Sequence, residues 1–240
     1  MKRAGGPTVI PNFGHGSSCV TGDHVFCWGW VRGHWADTLG PALTQHVELT
    51  AIAVGIGFAI AFLLGLATHR VNRIEQPVGV VSALLYTIPS FALFQLLVPF
   101  TGLTWTTVEI ALVGYTLVIL YPAVVAGLRS PSDDVLEAAR GMGLTPLQIL
   151  TRVELPLAVP VIISGLRVAV VSTISIATIA AFVGPYGLGN PIFLALKEPT
   201  PFKTEIYTAG FLAVALALVC DAALLILRRT LVPWADRRFA

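Results

Sequence analysis

The sequence predicts an all-α, polytopic membrane protein with five transmembrane helices, and three observations carry the prediction. Apolar residues make up 55% of the 240-residue chain and charged residues only 12%, against about 25% charged in soluble domains. A soluble globule with so few charges would lack the polar surface that keeps it dispersed. Five apolar runs, at about 48–67, 78–99, 108–128, 157–182 and 206–227, each come close to the roughly 20 residues a helix needs to cross a bilayer. Lipid offers no partner to backbone polar groups, so these runs are helices and not open strands.

Taken in order, residues 1–27 have neither helical nor strand period and mix Gly, Pro, Ser and His. Lys2 and Arg3 open the segment, but no apolar stretch of signal-peptide length follows. It reads as a disordered tail, or as an over-early start with translation beginning near Val20 or Val25. Trp28, Val31, Trp35, Leu39 and Leu43 then recur at helical spacing. Residues 28–46 therefore read as an amphipathic helix at the membrane–water boundary, a place that suits Trp28, Trp30 and Trp35. A buried helix that turns Arg32, His34 and Asp37 outward fits the same pattern. Residues 47–229 form the transmembrane domain. Pro89, Pro122 and Pro160 lie inside its runs and should kink their helices. The fourth run is long enough to tilt, and residues 230–240 are a C-terminal tail.

The longest polar interruption, residues 130–156, carries two helix-start signals. Ser130-Pro131 with Asp133 is the first and Thr145-Pro146 with Gln148 the second; both put Pro just inside a helix and an acid or amide at its third position. Gly141 and Gly143 between them can take the left-handed conformation that ends a helix. The stretch reads as a compact helical hairpin held outside the bilayer.

The spacing within this hairpin resembles a known family. Glu137-Ala138-Ala139, Gly143, and after nine residues Val153-Glu154-Leu155-Pro156 are similar to the EAA loop of bacterial ABC importer permeases, with Val153 where that family has Ile. The resemblance extends over roughly residues 45–229 and is nearest to ProW-type glycine betaine and osmoprotectant permeases. Leu85-Tyr86-Thr87-Ile88-Pro89-Ser90, Gly165-Leu166-Arg167 and Gly184-Pro185-Tyr186-Gly187-Leu188-Gly189 look like that subgroup. The resemblance implies a type I ABC importer permease fold in which the hairpin is a cytoplasmic coupling helix docked on an ATPase subunit. It also implies an external substrate-binding protein. The cargo is then an osmoprotectant among glycine betaine, carnitine, choline and proline, or alternatively another small solute such as an amino acid.

Charge placement gives the orientation independently of the motif. Arg70, Arg73, Arg129, Arg140, Arg152, Arg228, Arg229, Arg237 and Arg238 lie on one side, and Lys197, Lys203, Lys2, Arg3 and Arg32 on the other. The positive-inside rule puts the first set in the cytoplasm, the N-terminus outside and the C-terminus inside; the resemblance implies that the membrane is a bacterial inner membrane.

Candidate residues follow. The coupling loop is Glu137, Ala138, Ala139, Arg140, Gly143, Leu155 and Pro156; Glu137 can pair with Arg140, three residues on, or with the ATPase. Arg167 and Asp221 fall inside apolar runs in the same half of the membrane, where a charge is costly and seeks a partner; they read as an ion pair, with Arg167 snorkelling to headgroups as the alternative. Thr87-Ile88-Pro89-Ser90 reads as a broken helix whose freed carbonyls Ser hydroxyls can serve. Gly184, Gly187 and Gly189 form a turn and external gate. Tyr86, Pro89, Ser90, Phe94 and Tyr121 are route candidates, together with Phe91, Tyr115 and Phe182, because aromatic faces bind a cation that has no donors.

Some classes are excluded. No GxxxxGK[ST] sequence occurs, so ATP hydrolysis belongs to a separate chain, and the net charge of +2 suggests no nucleic-acid partner. Cys19, Cys27 and Cys220 have no metal-ligand spacing, and their odd count argues against a disulfide framework, leaving a Cys19–Cys27 pairing open. No cofactor is expected. All five His lie before or just after the first run, which disfavours a membrane-embedded enzyme. A passive channel would not need the hairpin. Five spans are few for enclosing a solute, so the route is expected between two permease chains, identical or homologous.

Overall fold

The computed structural model describes residues 25–71, 75–198 and 201–233, and every regular element among them is helical. The N-terminal tail through residue 24, with Cys19, and the end of the C-terminal tail from 234 lie outside the described residues. Cys27, just before the first helix, is disulfide-bonded, whereas Cys220 is a free thiol.

Helix α1 (Trp28–Gly33) passes through a π-helical turn (Trp35–Leu39) into α2 (Gly40–Arg70). Residues 40–46, grouped by sequence with the amphipathic segment, thus belong to the helix of the first span. Of the three tryptophans only Trp28 and Trp35 face outward; Trp30 is buried, edge-on to Phe202 with centroids 5.1 Å apart. It packs with Val31, Leu39 and Ala209 in one buried cluster.

The second expected span is not one helix. α3 (Glu75–Thr87) and α4 (Ser90–Thr101) meet at a bend of 101°. Pro89 precedes α4 in extended conformation, and a Pro there cannot donate the bond that would carry the helix through. The carbonyl released at Ile88 is served by the hydroxyl of Tyr115, not by Ser90 as the sequence suggested.

α5 (Trp105–Leu128) is capped by Thr104, whose side chain accepts from the Thr107 amide. After the hairpin of α6 (Asp133–Gly141) and α7 (Pro146–Ile149), a π turn (Leu150–Glu154) runs into α8 (Leu155–Ala177), which tightens into a 3-10 turn (Thr178–Phe182). A short α9 (Gly189–Lys197), unforeseen in the sequence, precedes α10 (Lys203–Leu231). Among the described residues four helical stretches, Trp35–Arg70, Trp105–Leu128, Pro146–Phe182 and Lys203–Leu231, are long and apolar enough to cross a membrane, and the bent pair α3–α4 makes a fifth if counted as one span.

The core lies where α2, α5 and α8 cross. A Cβ on Gly57 would come within 2.6 Å of the Thr116 methyl, and one on Gly127 within 3.1 Å of the Ala158 carbonyl. Small residues let helix backbones approach closely where lipid supplies no hydrophobic drive. The hydroxyls of Thr116 and Thr173, 3.1 Å apart, add a polar tie between α5 and α8. The chain order alternates, so the hairpin and the 184–189 loop sit at opposite ends of this bundle.

Candidate functional site

The hairpin is built by its local chemistry. α6 begins two residues later than the Ser130-Pro131 signal implied: Ser132 precedes it, and Asp133 and Asp134 fill its first turn, where carboxylates complement the helix dipole. The second signal forms a complete capping box, with the Gln148 amide donating to Thr145 Oγ1 at 3.4 Å and Gln148 Oε1 accepting the Thr145 amide at 2.8 Å.

Between them the chain reverses on Gly143. Its φ of 79° lies in the left-handed region. Its amide donates to Arg140 O at 2.9 Å, and the Leu144 amide donates to Ala139 O at 3.2 Å. This pair of bonds is a Schellman motif closing α6. Gly141 is simply the last helical residue. A Cβ on Gly143 would meet nothing within 4 Å, so the demand for glycine comes from the backbone angle alone.

Glu137, Ala138 and Arg140 are exposed, while Ala139 is buried. Glu137 makes no ion pair with Arg140 among the described residues. Leu155 and Pro156 are half-buried in the first turn of α8, directly after the π turn.

The root of the hairpin is tied to three spans. Glu154 Oε2 lies 2.9 Å from His69 Nε2 at the end of α2. Arg129 pairs with Glu75 of α3, and the Ser130 hydroxyl donates to Leu157 O of α8 at 3.3 Å. A cavity of about 750 Å³ opens between α2 and the hairpin, with His69, Arg70 and Arg140 on its polar side and Leu147, Ile149 and Leu150 on its apolar side. On the hairpin surface Val135, Met142 and Leu147 stand 42%, 75% and 60% exposed.

Arg167 and Asp221 are brought together. Arg167 Nε and Nη2 donate to the two carboxylate oxygens at 2.8 Å each, tying α8 to α10. Of the route candidates, Tyr86, Pro89 and Phe91 are exposed at the bend, and Ser90 is half-buried. Phe182 stacks edge-on with both Phe91 and Phe193, centroids 5.0 and 4.8 Å apart, and the Lys197 ammonium lies 4.1 Å from the Phe193 ring centre. Phe94 and Tyr121 are enclosed within the single chain, and Tyr115 is buried with its hydroxyl on the Ile88 carbonyl. Gly184 is half-buried, and Gly187 and Gly189 are buried.

Two histidines whose partners the sequence did not reveal, His46 and His69, sit at junctions, and Glu154, present in the sequence only as part of its motif, is the partner of His69. Glu154 lies 85 positions from His69, a separation no local pattern bridges. Among the described residues no group of three or more His, Cys, Asp or Glu could hold a metal ion.

A family model described as the binding-protein-dependent transport system inner membrane component matches residues 52–239. The chain is 32% identical over 195 residues to the choline transport system permease protein OpuBB of Bacillus subtilis, covering 81% of this chain and 88% of that one. It is 34% identical over 194 residues to the carnitine transport permease protein OpuCB of Listeria monocytogenes, covering 80% and 88%. It is 37% identical over 196 residues to the osmoprotectant import permease protein OsmW of Salmonella typhimurium, covering 79% and 89%. Its fold matches a chain of the inward-facing methionine ABC transporter MetNI with a TM-score of 0.69 at 22% identity, covering 85% of this chain and 96% of that one.

Proposed function

Because this chain belongs to the inner membrane components of binding-protein-dependent transport systems, we propose that it is the permease of an osmoprotectant importer, coupled to its ATPase through the α6–α7 hairpin. Membership in this family makes it an integral membrane subunit that works with an ATPase and a substrate-binding protein. It performs no bond chemistry itself. The cargo proposed is a small quaternary-ammonium solute such as choline or carnitine, the solutes in the names of two relatives.

The observation that carries the coupling role is the exposure of Val135, Met142 and Leu147 on a hairpin whose backbone is held by a Schellman turn and a capping box. Apolar side chains on an otherwise polar hairpin call for a cover. A rigid knuckle tied to three spans is suited to passing a push from that cover into the bundle. The positive-inside pattern supports a cytoplasmic position for it, with the 184–189 loop then outside.

The solute route is assigned to the space between two permease chains. Partly exposed rings at Tyr86, Phe91 and Phe182 supply faces for a methylated ammonium group, which has no hydrogen to donate. ATP binding closes the ATPase pair, draws the hairpins together and favours the outward-open population; hydrolysis restores the inward-open one.

The test is uptake into proteoliposomes holding this chain, its ATPase and its binding protein. Labelled choline, carnitine and glycine betaine should accumulate only with ATP, and excess methionine should not compete. Uptake of methionine or another amino acid in their place would establish the second reading, an amino-acid permease.

A further inference from the structure

The end of the bundle opposite the hairpin is organised by one imidazole. His46, in the second turn of α2, has no exposed surface. Its Nε2 lies 3.0 Å from the Ile174 carbonyl oxygen on α8, and its Nδ1 lies 3.1 Å from the Leu188 amide in the glycine loop. A carbonyl can only accept and an amide N–H can only donate, so Nε2 carries the proton and Nδ1 is the acceptor. The ring is therefore neutral, in one tautomer, and fully used.

Two neighbours reinforce the contact. Gln45 Oε1 accepts the Gly187 amide at 3.3 Å. Gly187 has a φ of 62°, and a Cβ there would stand 2.8 Å from His46 Nδ1, so the glycine is what lets the loop come down onto the ring. Two residues further, the backbone of Gly189 lies directly on the Thr178 carbonyl just past the end of α8.

The same two helices are joined again at the hairpin end, where His69 of α2 meets Glu154 at 2.9 Å. His46 and His69 are about 35 Å apart along α2 at the usual rise of an α-helix. We propose that His46 is the positioning residue of the 184–189 loop: through Nδ1 it fastens the loop to α2, so that a displacement begun at the hairpin reaches the far mouth of the bundle as movement of one body. This rests on reading that loop as the outer gate.

Two replacements separate the halves of the ring's work. His46→Asn places an amide oxygen close to the Nδ1 position and keeps an acceptor for Leu188, but it falls short of Ile174. His46→Gln reaches toward Ile174 and leaves the Leu188 amide without its acceptor. Both are made in the complete transporter carrying Cys220→Ser and the exposed reporter Pro185→Cys, and labelling by an impermeant maleimide is measured beside ATP-driven uptake of choline. His46→Gln should label about tenfold faster and lose uptake by a similar factor, the ratio that one lost buried hydrogen bond implies. His46→Asn should stay close to the parent in both.

If the two variants behave alike, whether both active or both inactive, His46 does not position the loop. Faster labelling with uptake intact in His46→Gln would show the loop held by His46 but not acting as a gate, which overturns the gate reading and the proposal with it. Should His46→Gln fail to insert, Gly187→Ala asks the same question from the loop side. Its methyl presses on Nδ1 with the histidine present, and unchanged labelling there overturns the proposal.

Discussion

The guanidinium of Arg167 on α8 grips the carboxylate of Asp221 on α10 through two parallel bonds of 2.8 Å. The pair borders a groove of about 560 Å³ between the two helices, with Ser164, Val168 and Leu218 nearby. A forked bond of this kind fixes orientation as well as charge, which is why lysine is a poor substitute. Arg167→Leu and Asp221→Leu should each reduce the amount of folded protein recovered in detergent, because each leaves a lone charge within a span. The double replacement should recover more than either single one. A double variant weaker than both would mean that the two charges act separately.

Gly143 gives a second prediction. Valine at a φ of 79° carries strain on the order of 1–3 kcal/mol, whereas asparagine tolerates the left-handed region. Gly143→Val should insert normally yet hydrolyse ATP with little uptake, and Gly143→Asn should retain most coupling. Equal uptake by the two variants, measured against ATP hydrolysis in the same vesicles, would remove the turn from the mechanism.

The contact between His69 and Glu154 predicts a coupling energy. Glu154 is buried, and its carboxylate joins the root of the hairpin to α2. A double-mutant cycle with His69→Ala and Glu154→Ala should return an interaction of about 0.5–3 kcal/mol by chemical unfolding. Additive effects would show that the two side chains contribute independently.

At the bend, Tyr115→Phe removes the hydroxyl that serves the Ile88 carbonyl. An unpaired carbonyl shielded from water costs about 1–3 kcal/mol, so the unfolding midpoint should fall by about 2–12 °C in a scan of purified protein. An unchanged midpoint would mean that the carbonyl finds another partner.

Local signals in the sequence proved the easiest to read. The capping box at Thr145 and the left-handed Gly143 are set by neighbours within a few positions, and both are present. Arg167 and Asp221 could be placed together because charges within apolar runs are rare and costly. The bend at Pro89 was half legible: proline announces an interruption, but the partner of the carbonyl it frees is Tyr115, 27 residues from Ile88. His46 and His69 were missed because their partners are 128 and 85 residues away. Lone histidines near the ends of an apolar run look like boundary residues. The burial of Trp30, Phe94 and Tyr121 was hidden for a related reason, since an apolar run gives no sign of which aromatic faces lipid and which faces a neighbouring helix.

The central claim, that the α6–α7 hairpin meets the ATPase, is tested most directly at Met142, the most exposed of the three apolar residues on its surface. Met142→Cys in a Cys220→Ser background, treated with a short bifunctional thiol reagent in vesicles of the complete transporter, should give an adduct with the ATPase subunit. The yield should change when ATP is added. Labelling of that cysteine by an impermeant reagent from the outer face of intact cells, with no ATPase adduct formed, would contradict the account.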